Sequence, residues 1–357
     1  MNLSRKSTLR IGLLGCGTIA YWAHLRALRH IRGAALTAAA DPDPQARERA
    51  GRLADLKLYH RAEDLLSRRD IDAVVICVPT HLHAHLATAA AVAGKHFYLE
   101  KPIATCAADA QRVLDAASHA GVIGTIGFNR RLHPLYQQAR SLLARGCIGR
   151  VKAVQTAFCE PIPMERMPEW KRRRITGGGV LLDLASHHLD LLRWFLADEI
   201  DGVTAWLGSE LSEQDTARLD LTMRGGVEVQ SYFSFLAGLA DFLVFVGERG
   251  TLRIDRHSPT LDLRLGRRFG YGARTRWIAP TAPVAAWRLH RLVRPSTDPS
   301  YRRCLQAFVN RLQGHPGDEA SLADGARSLE AILKAEQSAA GQDSSSSNPI
   351  STLCVPC

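Results

Sequence analysis

Leu9-Arg10-Ile11-Gly12-Leu13-Leu14-Gly15-Cys16-Gly17-Thr18-Ile19-Ala20 is the stretch whose reading decides the fold. An apolar run of strand length ends at Leu14, a GxGxxA turn follows, and from Tyr21 to Ile31 the pattern is helical. Strand, glycine-rich turn and helix in that order open a βαβ unit, and the glycines let the backbone approach a pyrophosphate at the positive end of the helix. The motif alone is weak; placed between a strand and a helix it is specific.

The same rhythm continues outward. Ala35 to Ala40 reads as a second strand, Asp72 to Val78 as a fully buried one, Leu86 to Ala93 as a helix, His96 to Leu99 as a strand, Ala107 to Ser118 as a helix and Val122 to Gly127 as a strand. Two-sided burial of such runs predicts a parallel sheet. From Val151 onward the segments alternate, as half-exposed antiparallel strands do, among them Val151 to Phe158, Ala217 to Met223, Val227 to Phe235 and Phe242 to Gly247. Helices are expected over Leu181 to Leu196, Tyr301 to Leu312 and Ala320 to Ala340. The fold class is therefore α/β: an N-terminal Rossmann parallel sheet over 1–126, then an α/β domain over 127–341 built on a mixed, largely antiparallel open sheet. Residues 342–357, with Ser344 to Ser347, read as a disordered tail.

Composition narrows the function. The chain has 357 residues, 46% of them hydrophobic, enough for two cores, and no apolar run of the roughly 18 residues that a membrane span needs. Arg5-Lys6 and Leu13-Leu14-Gly15-Cys16 imitate export signals, but the apolar stretch is too short and cleavage before Cys16 would destroy the glycine loop. The eight cysteines are scattered and read as reduced thiols of a cytoplasmic protein, including the terminal pair Cys354 and Cys357. The net charge of +11 is spread along the chain with few interleaved aromatics, which argues against nucleic acid and for an anionic small ligand. His81, His83 and His85 alternate but run into a helix with no acidic or thiol partner nearby, so no metal site is expected.

Two residues sharpen the cofactor reading. Asp41 closes the second strand where a carboxylate would accept hydrogen bonds from ribose hydroxyls and repel a 2′-phosphate, which favours NAD over NADP. Lysine is scarce, seven against thirty-nine arginines, yet Lys101 follows a buried strand directly, at the carboxyl edge where such sheets bind ligands.

At this point the chain resembles the glucose-fructose oxidoreductase and inositol dehydrogenase family, Gfo/Idh/MocA. The resemblance covers roughly residues 9 to 340 and rests on Gly15 to Ala20, Asp41-Pro42-Asp43, Pro79 to His83, Gly94-Lys95-His96, Glu100-Lys101-Pro102, Gly127-Phe128-Asn129-Arg130-Arg131 and Gly177 to Asp190. It implies that Gly15, Gly17, Thr18, Ile19, Asp41, Pro79, Thr80, His83 and Asn129 surround the cofactor, that Glu100 contacts the nicotinamide-side ribose, and that Lys101 reaches both cofactor and substrate. Thr80 stands where asparagine is frequent in that family, and Ala185 replaces a usual glycine.

Asp183 and His187 are four apart on the expected helix and share a face, so a carboxylate would orient a histidine suited to proton transfer near neutral pH. The resemblance implies that Lys101, Asp183 and His187 form the catalytic group. Hydride would pass between a secondary carbinol carbon and C4 of the nicotinamide, while His187 takes or gives the hydroxyl proton and Lys101 polarises the oxygen. The cations of Trp170-Lys171-Arg172-Arg173-Arg174 precede the glycine run and read equally as a phosphate holder or a solvated loop. Arg131, Trp170, Lys171 and His188 are the candidate substrate contacts. The expected substrate is a sugar, sugar phosphate, nucleotide sugar or inositol, preferably anionic. The rivals are an NAD-dependent glycosidase-like elimination and a non-catalytic NAD-binding regulator of the same fold. The uncovered face of the second sheet predicts a homodimer or homotetramer.

Overall fold

The computed structural model describes residues 8–343 apart from 258–260, 267–272, 277, 279 and 294–297; the first two residues of the expected tail, 342 and 343, continue helix Leu322–Asp343 instead, and its remainder from residue 344, with two cysteines, lies outside the described residues. The near-continuous apolar runs form β1 (Leu9–Leu14), β2 (Ala34–Ala40), β3 (Lys57–Tyr59), β4 (Ala73–Ile76), β5 (His96–Leu99) and β6 (Gly124–Ile126). They pair in parallel in the order β6-β5-β4-β1-β2-β3, the doubly wound arrangement. Side chains of β4 and β5 are buried on both faces, apart from the half-buried His96 at the start of β5, which accounts for their unbroken apolar reading.

The second sheet comprises β7 (Val151–Cys159), β8 (Ile200–Gly208), β9 (Thr216–Met223), β10 (Glu228–Ser234), β11 (Ala240–Gly247), β12 (Gly250–Asp255), β13 (Leu261–Gly266) and β14 (Ala273–Arg276), in the order β14-β13-β12-β11-β7-β10-β9-β8. Only β7 and β10 run parallel; every other neighbouring pair is antiparallel. Alternation sends Ala217, Leu219, Leu221 and Met223 of β9 into the core and turns Arg218 and Asp220 outward. The helices Ser186–Leu196 and Leu322–Asp343 cover the inner face. The outer face keeps Trp206 and Tyr232 exposed, at 50% and 40%.

The chain then crosses back. Helix Pro299–Leu312 buries Cys304, Leu305, Phe308, Val309 and Leu312 in the same cluster as Leu9, Ile11 and Tyr98, and β15 (Ala320–Ser321) adds an antiparallel edge to β6. A split at 126/127 therefore does not describe where this segment packs.

Candidate active site

The carboxyl edge of the parallel sheet faces the loop and helix that follow β7. Gly15, at the end of β1, has φ +87°, and a side chain there would lie 2.5 Å from the Cys77 carbonyl oxygen, so only glycine makes this turn. Gly17, Thr18 and Ile19 are exposed beyond it, with nothing within 4 Å of where a Gly17 side chain would stand. Asp41 turns back onto the loop, its Oδ2 accepting from the Cys16 amide at 2.6 Å and its Oδ1 from the Asp43 amide at 2.8 Å. A carboxylate offers about four lone-pair sites, so both oxygens keep capacity for ribose hydroxyls. An open glycine rim with a half-used carboxylate fits a dinucleotide.

Lys101 reaches across to the second half of the chain. Its Nζ donates to Asp183 Oδ1 at 2.8 Å and to the Asp183 carbonyl at 2.6 Å, and Lys171 Nζ donates to Asp183 Oδ2 at 2.7 Å. Burial alone would raise the Asp183 carboxyl, but Lys101 and then Lys171 outweigh it and hold the group well below the usual carboxylate range. Gly178 makes the approach of Lys171 possible, because a side chain at 178 would stand 2.1 Å from the Lys171 carbonyl oxygen.

His187 is half-buried beside this cluster, between the rings of Phe128 at 6.1 Å and Phe158 at 6.5 Å, with Nδ1 buried and without a hydrogen-bond partner among the described residues. Burial first, then the charges of Arg130 and Lys101, hold it well below the ordinary histidine range, so the ring is neutral near pH 7. The sequence predicted that Asp183 sets this histidine. That is corrected: Leu181–Ala185 is a π-helical turn, both Asp183 oxygens face lysines, and no hydrogen bond joins Asp183 to His187 among the described residues.

Other expected contacts are internal. His188 is fully buried, its Nε2 3.1 Å from Asp241 Oδ1, and Arg131 donates two bonds to Asp190 at 2.8 and 2.5 Å, so neither is open to a substrate. The Asn129 amide donates to Ser300 Oγ at 2.7 Å in a buried position. Both ring nitrogens of His83 face carbonyls, Pro102 at 2.6 Å and Val78 at 2.9 Å, so the ring staples the turn after Lys101 and has no nitrogen left for a ligand. Pro79 is half-buried at the strand end, and Thr80 packs against Gly177. His81 and His85 are exposed while His83 points inward, so the three do not converge. Within the cation run, Lys171 serves Asp183, Arg172 donates to the Met164 and Met167 carbonyls, Arg174 pairs with Glu336, and Trp170 lies half-buried against Lys171.

Three residues escaped the sequence reading. His24 Nε2 donates to Glu100 Oε1 at 2.6 Å, which commits one oxygen of the carboxylate expected at the ribose. Arg130 and Asp241 form a buried pair at 2.9 Å behind His187, and the Arg130 guanidinium lies 4.0 Å from the centre of the Phe158 ring. A histidine on the buried face of the first helix was the available signal for His24; nothing local in the sequence marks Asp241.

Residues 9–128 match an oxidoreductase family with an NAD-binding Rossmann fold, and residues 136–253 match a GFO/IDH/MocA C-terminal domain. A myo-inositol 2-dehydrogenase of Thermotoga maritima is 31% identical over 59% of this chain, and the match spans only 61% of that relative. A dTDP-3,4-didehydro-2,6-dideoxy-alpha-D-glucose 3-reductase of Streptomyces violaceoruber is 31% identical over 70% of this chain and 74% of the relative. The crystal structure of the WlbA dehydrogenase of Bordetella pertussis in complex with NADH and UDP-GlcNAcA superposes with a TM-score of 0.81 at 25% identity, covering 94% of this chain and 96% of that one.

Proposed function

The chain belongs to the Gfo/Idh/MocA oxidoreductase family, and from that premise we propose that it is an NAD-dependent dehydrogenase or reductase acting on a ring secondary hydroxyl of a sugar, sugar phosphate, nucleotide sugar or inositol. The observation that carries this reading is the meeting of Lys101, Asp183 and Lys171 beside a half-open, neutral His187. When bound, NAD supplies the hydride acceptor. The glycine rim and Asp41 hold its pyrophosphate and ribose, Lys101 stabilises the developing alkoxide, and His187 takes the hydroxyl proton on Nε2, since Nδ1 is buried. In the reverse direction the same nitrogen returns the proton.

Two ammonium groups share the Asp183 carboxylate, and the exposed Glu160 acts on Lys171 without an ion pair among the described residues, which favours a substrate bearing an anionic group near Lys171 and Trp170. The names of the relatives, an inositol dehydrogenase and a nucleotide-sugar reductase, support the same substrate class. No helix among the described residues is long and apolar enough to cross a membrane, and the free cysteines suit a cytoplasmic enzyme. Assembly into a dimer or tetramer would bury Trp206 and Tyr232 on the outer sheet face, and a monomer by light scattering at micromolar concentration would refute it.

The test is NADH formation with inositols, sugar phosphates and nucleotide sugars, run beside Lys101→Ala. Turnover on one of these, lost in the variant while NAD still binds, is expected. Release of a free sugar with no net NADH would instead indicate the elimination chemistry, and NAD binding with no turnover on any of them the regulator.

A further inference from the structure

Arg32, Arg302 and Arg303 line one cleft of about 1110 Å³, far from the cofactor rim: Arg32 precedes β2, at the amino edge of the parallel sheet, whereas the glycine turn lies at the carboxyl edge. None of the three has a carboxylate within ion-pair distance among the described residues. Among the described residues the one acid lining the cleft, Asp318, is already paired with Arg140 at 3.0 Å. Among the described residues Arg303 donates to the Leu132 carbonyl, at 3.3 Å, and burial together with the adjacent Arg302 pushes its guanidinium down.

The backbone that carries the cations is held in place. Arg302, Arg303, Gln306 and Asn310 lie on one face of helix Pro299–Leu312, while Tyr301 and Phe308 on the opposite face pack against His24 at 5.6 Å and Tyr98 at 6.1 Å. Gln306 clamps the Arg32 backbone on both sides, accepting from its amide at 2.8 Å and donating to its carbonyl at 3.0 Å. His30 and His315 complete a rim that holds three arginines and two histidines against one neutralised aspartate.

We propose that this cleft is a second anion site, separate from the active site, that binds a small molecule carrying a pyrophosphate-type group. Arginine forks suit phosphate oxygens. The cleft is wider than a single phosphate requires, which favours the larger anion.

The experiment is calorimetric titration of the full chain, saturated with NAD so that the glycine loop is filled, with pyrophosphate and separately with inorganic phosphate. Saturable pyrophosphate binding, tighter than that of phosphate and weakened roughly tenfold in the double variant Arg32→Gln, Arg302→Gln, is expected. Both side chains are exposed, so the variant should fold, and its thermal stabilisation by NAD should equal that of the wild type. Three results would overturn the proposal: no saturable binding to the NAD-loaded protein, binding unchanged in the double variant, or saturable binding of a polyglutamate peptide without pyrophosphate binding, which would assign the cleft to an acidic protein partner.

Discussion

His187 and His188 are consecutive residues on one helix, and their surroundings are opposite. His188 is fully buried, with Nε2 on Asp241 and its ring stacked on Phe158 at 5.6 Å. His187 is half-open and makes no hydrogen bond to a carboxylate among the described residues. The carboxylates repeat the contrast. Asp241 has no exposed surface and is enclosed by Arg130, His188 and Arg256, whereas Asp183 keeps 19% of its side chain accessible between two lysines. The residue types are nearly the same in both clusters. What separates a scaffold from a site is whether the cluster's polar capacity is used up internally, because only an unused, accessible group can exchange a proton with a ligand.

That contrast breaks first under mutation. His187→Ala and Lys101→Ala should each lower kcat by about 10² to 10⁴, because proton transfer or polarisation is lost. His187→Ala should change the melting temperature little, while Lys101→Ala also breaks the pair with Asp183, which keeps Lys171, and should cost a modest amount of stability. Asp241→Asn should do the reverse, costing about 3–5 kcal/mol of stability by leaving Arg130 and His188 buried without their carboxylate. A large stability loss in His187→Ala, measured by denaturant unfolding, would erase the distinction between the two histidines.

Lys171 sharpens the comparison from the other side. Lys171→Met should raise KM for an anionic substrate by about tenfold with a smaller effect on kcat, and Lys171→Arg should recover part of it. Equal losses in KM and kcat would mean that Lys171 acts through Asp183 rather than on the substrate.

Acid dependence follows from the depressed histidines. His83, His133, His187 and His188 all lie below the ordinary value, chiefly through burial. A histidine depressed in the fold protonates more readily in the unfolded chain, so its neutral burial supports stability above about pH 6.5 and that support is lost as the pH falls. Melting temperature should therefore decline below about pH 6.5, while the acid limb of kcat/KM, set by His187, should lie below that value. Arg130→Met removes a cation that depresses His187 and should move this limb upward. A limb that stays in place would show that another group carries the proton.

Period and turn chemistry made most of the fold legible. The strands at Leu9–Leu14 and His96–Leu99 fall where the apolar runs lie, because a parallel strand buried on both faces leaves an unambiguous signature. The return of helix Pro299–Leu312 to the first sheet was not legible, since an amphipathic pattern fixes which face is buried but not against what. At the candidate site, the motifs singled out Lys101 and Asp183, and these two do meet. Their mutual pairing, the second lysine on Asp183 and the enclosure of His188 and Arg131 depend on contacts across tens to about a hundred residues, which spacing on one helix does not encode.

The smallest expected effect concerns a third carboxylate, intermediate between the other two. Asp41 accepts one amide on each oxygen and retains unused lone pairs, so it should discriminate between cofactors without either collapsing the fold or stopping the chemistry when changed. A ribose 2′-hydroxyl can donate to those lone pairs, and a 2′-phosphate meets a like charge. NAD should therefore bind at least several-fold more tightly than NADP, and Asp41→Ser combined with Pro42→Arg should move the preference toward NADP. The Cys16 amide loses its carboxylate partner in that variant, so a modest drop in melting temperature is expected alongside. Fluorescence titration with both cofactors measures the ratio. Equal affinities in the wild type would place Asp41 with Asp241, a carboxylate committed to its own backbone, and remove it from the group of residues that face a ligand.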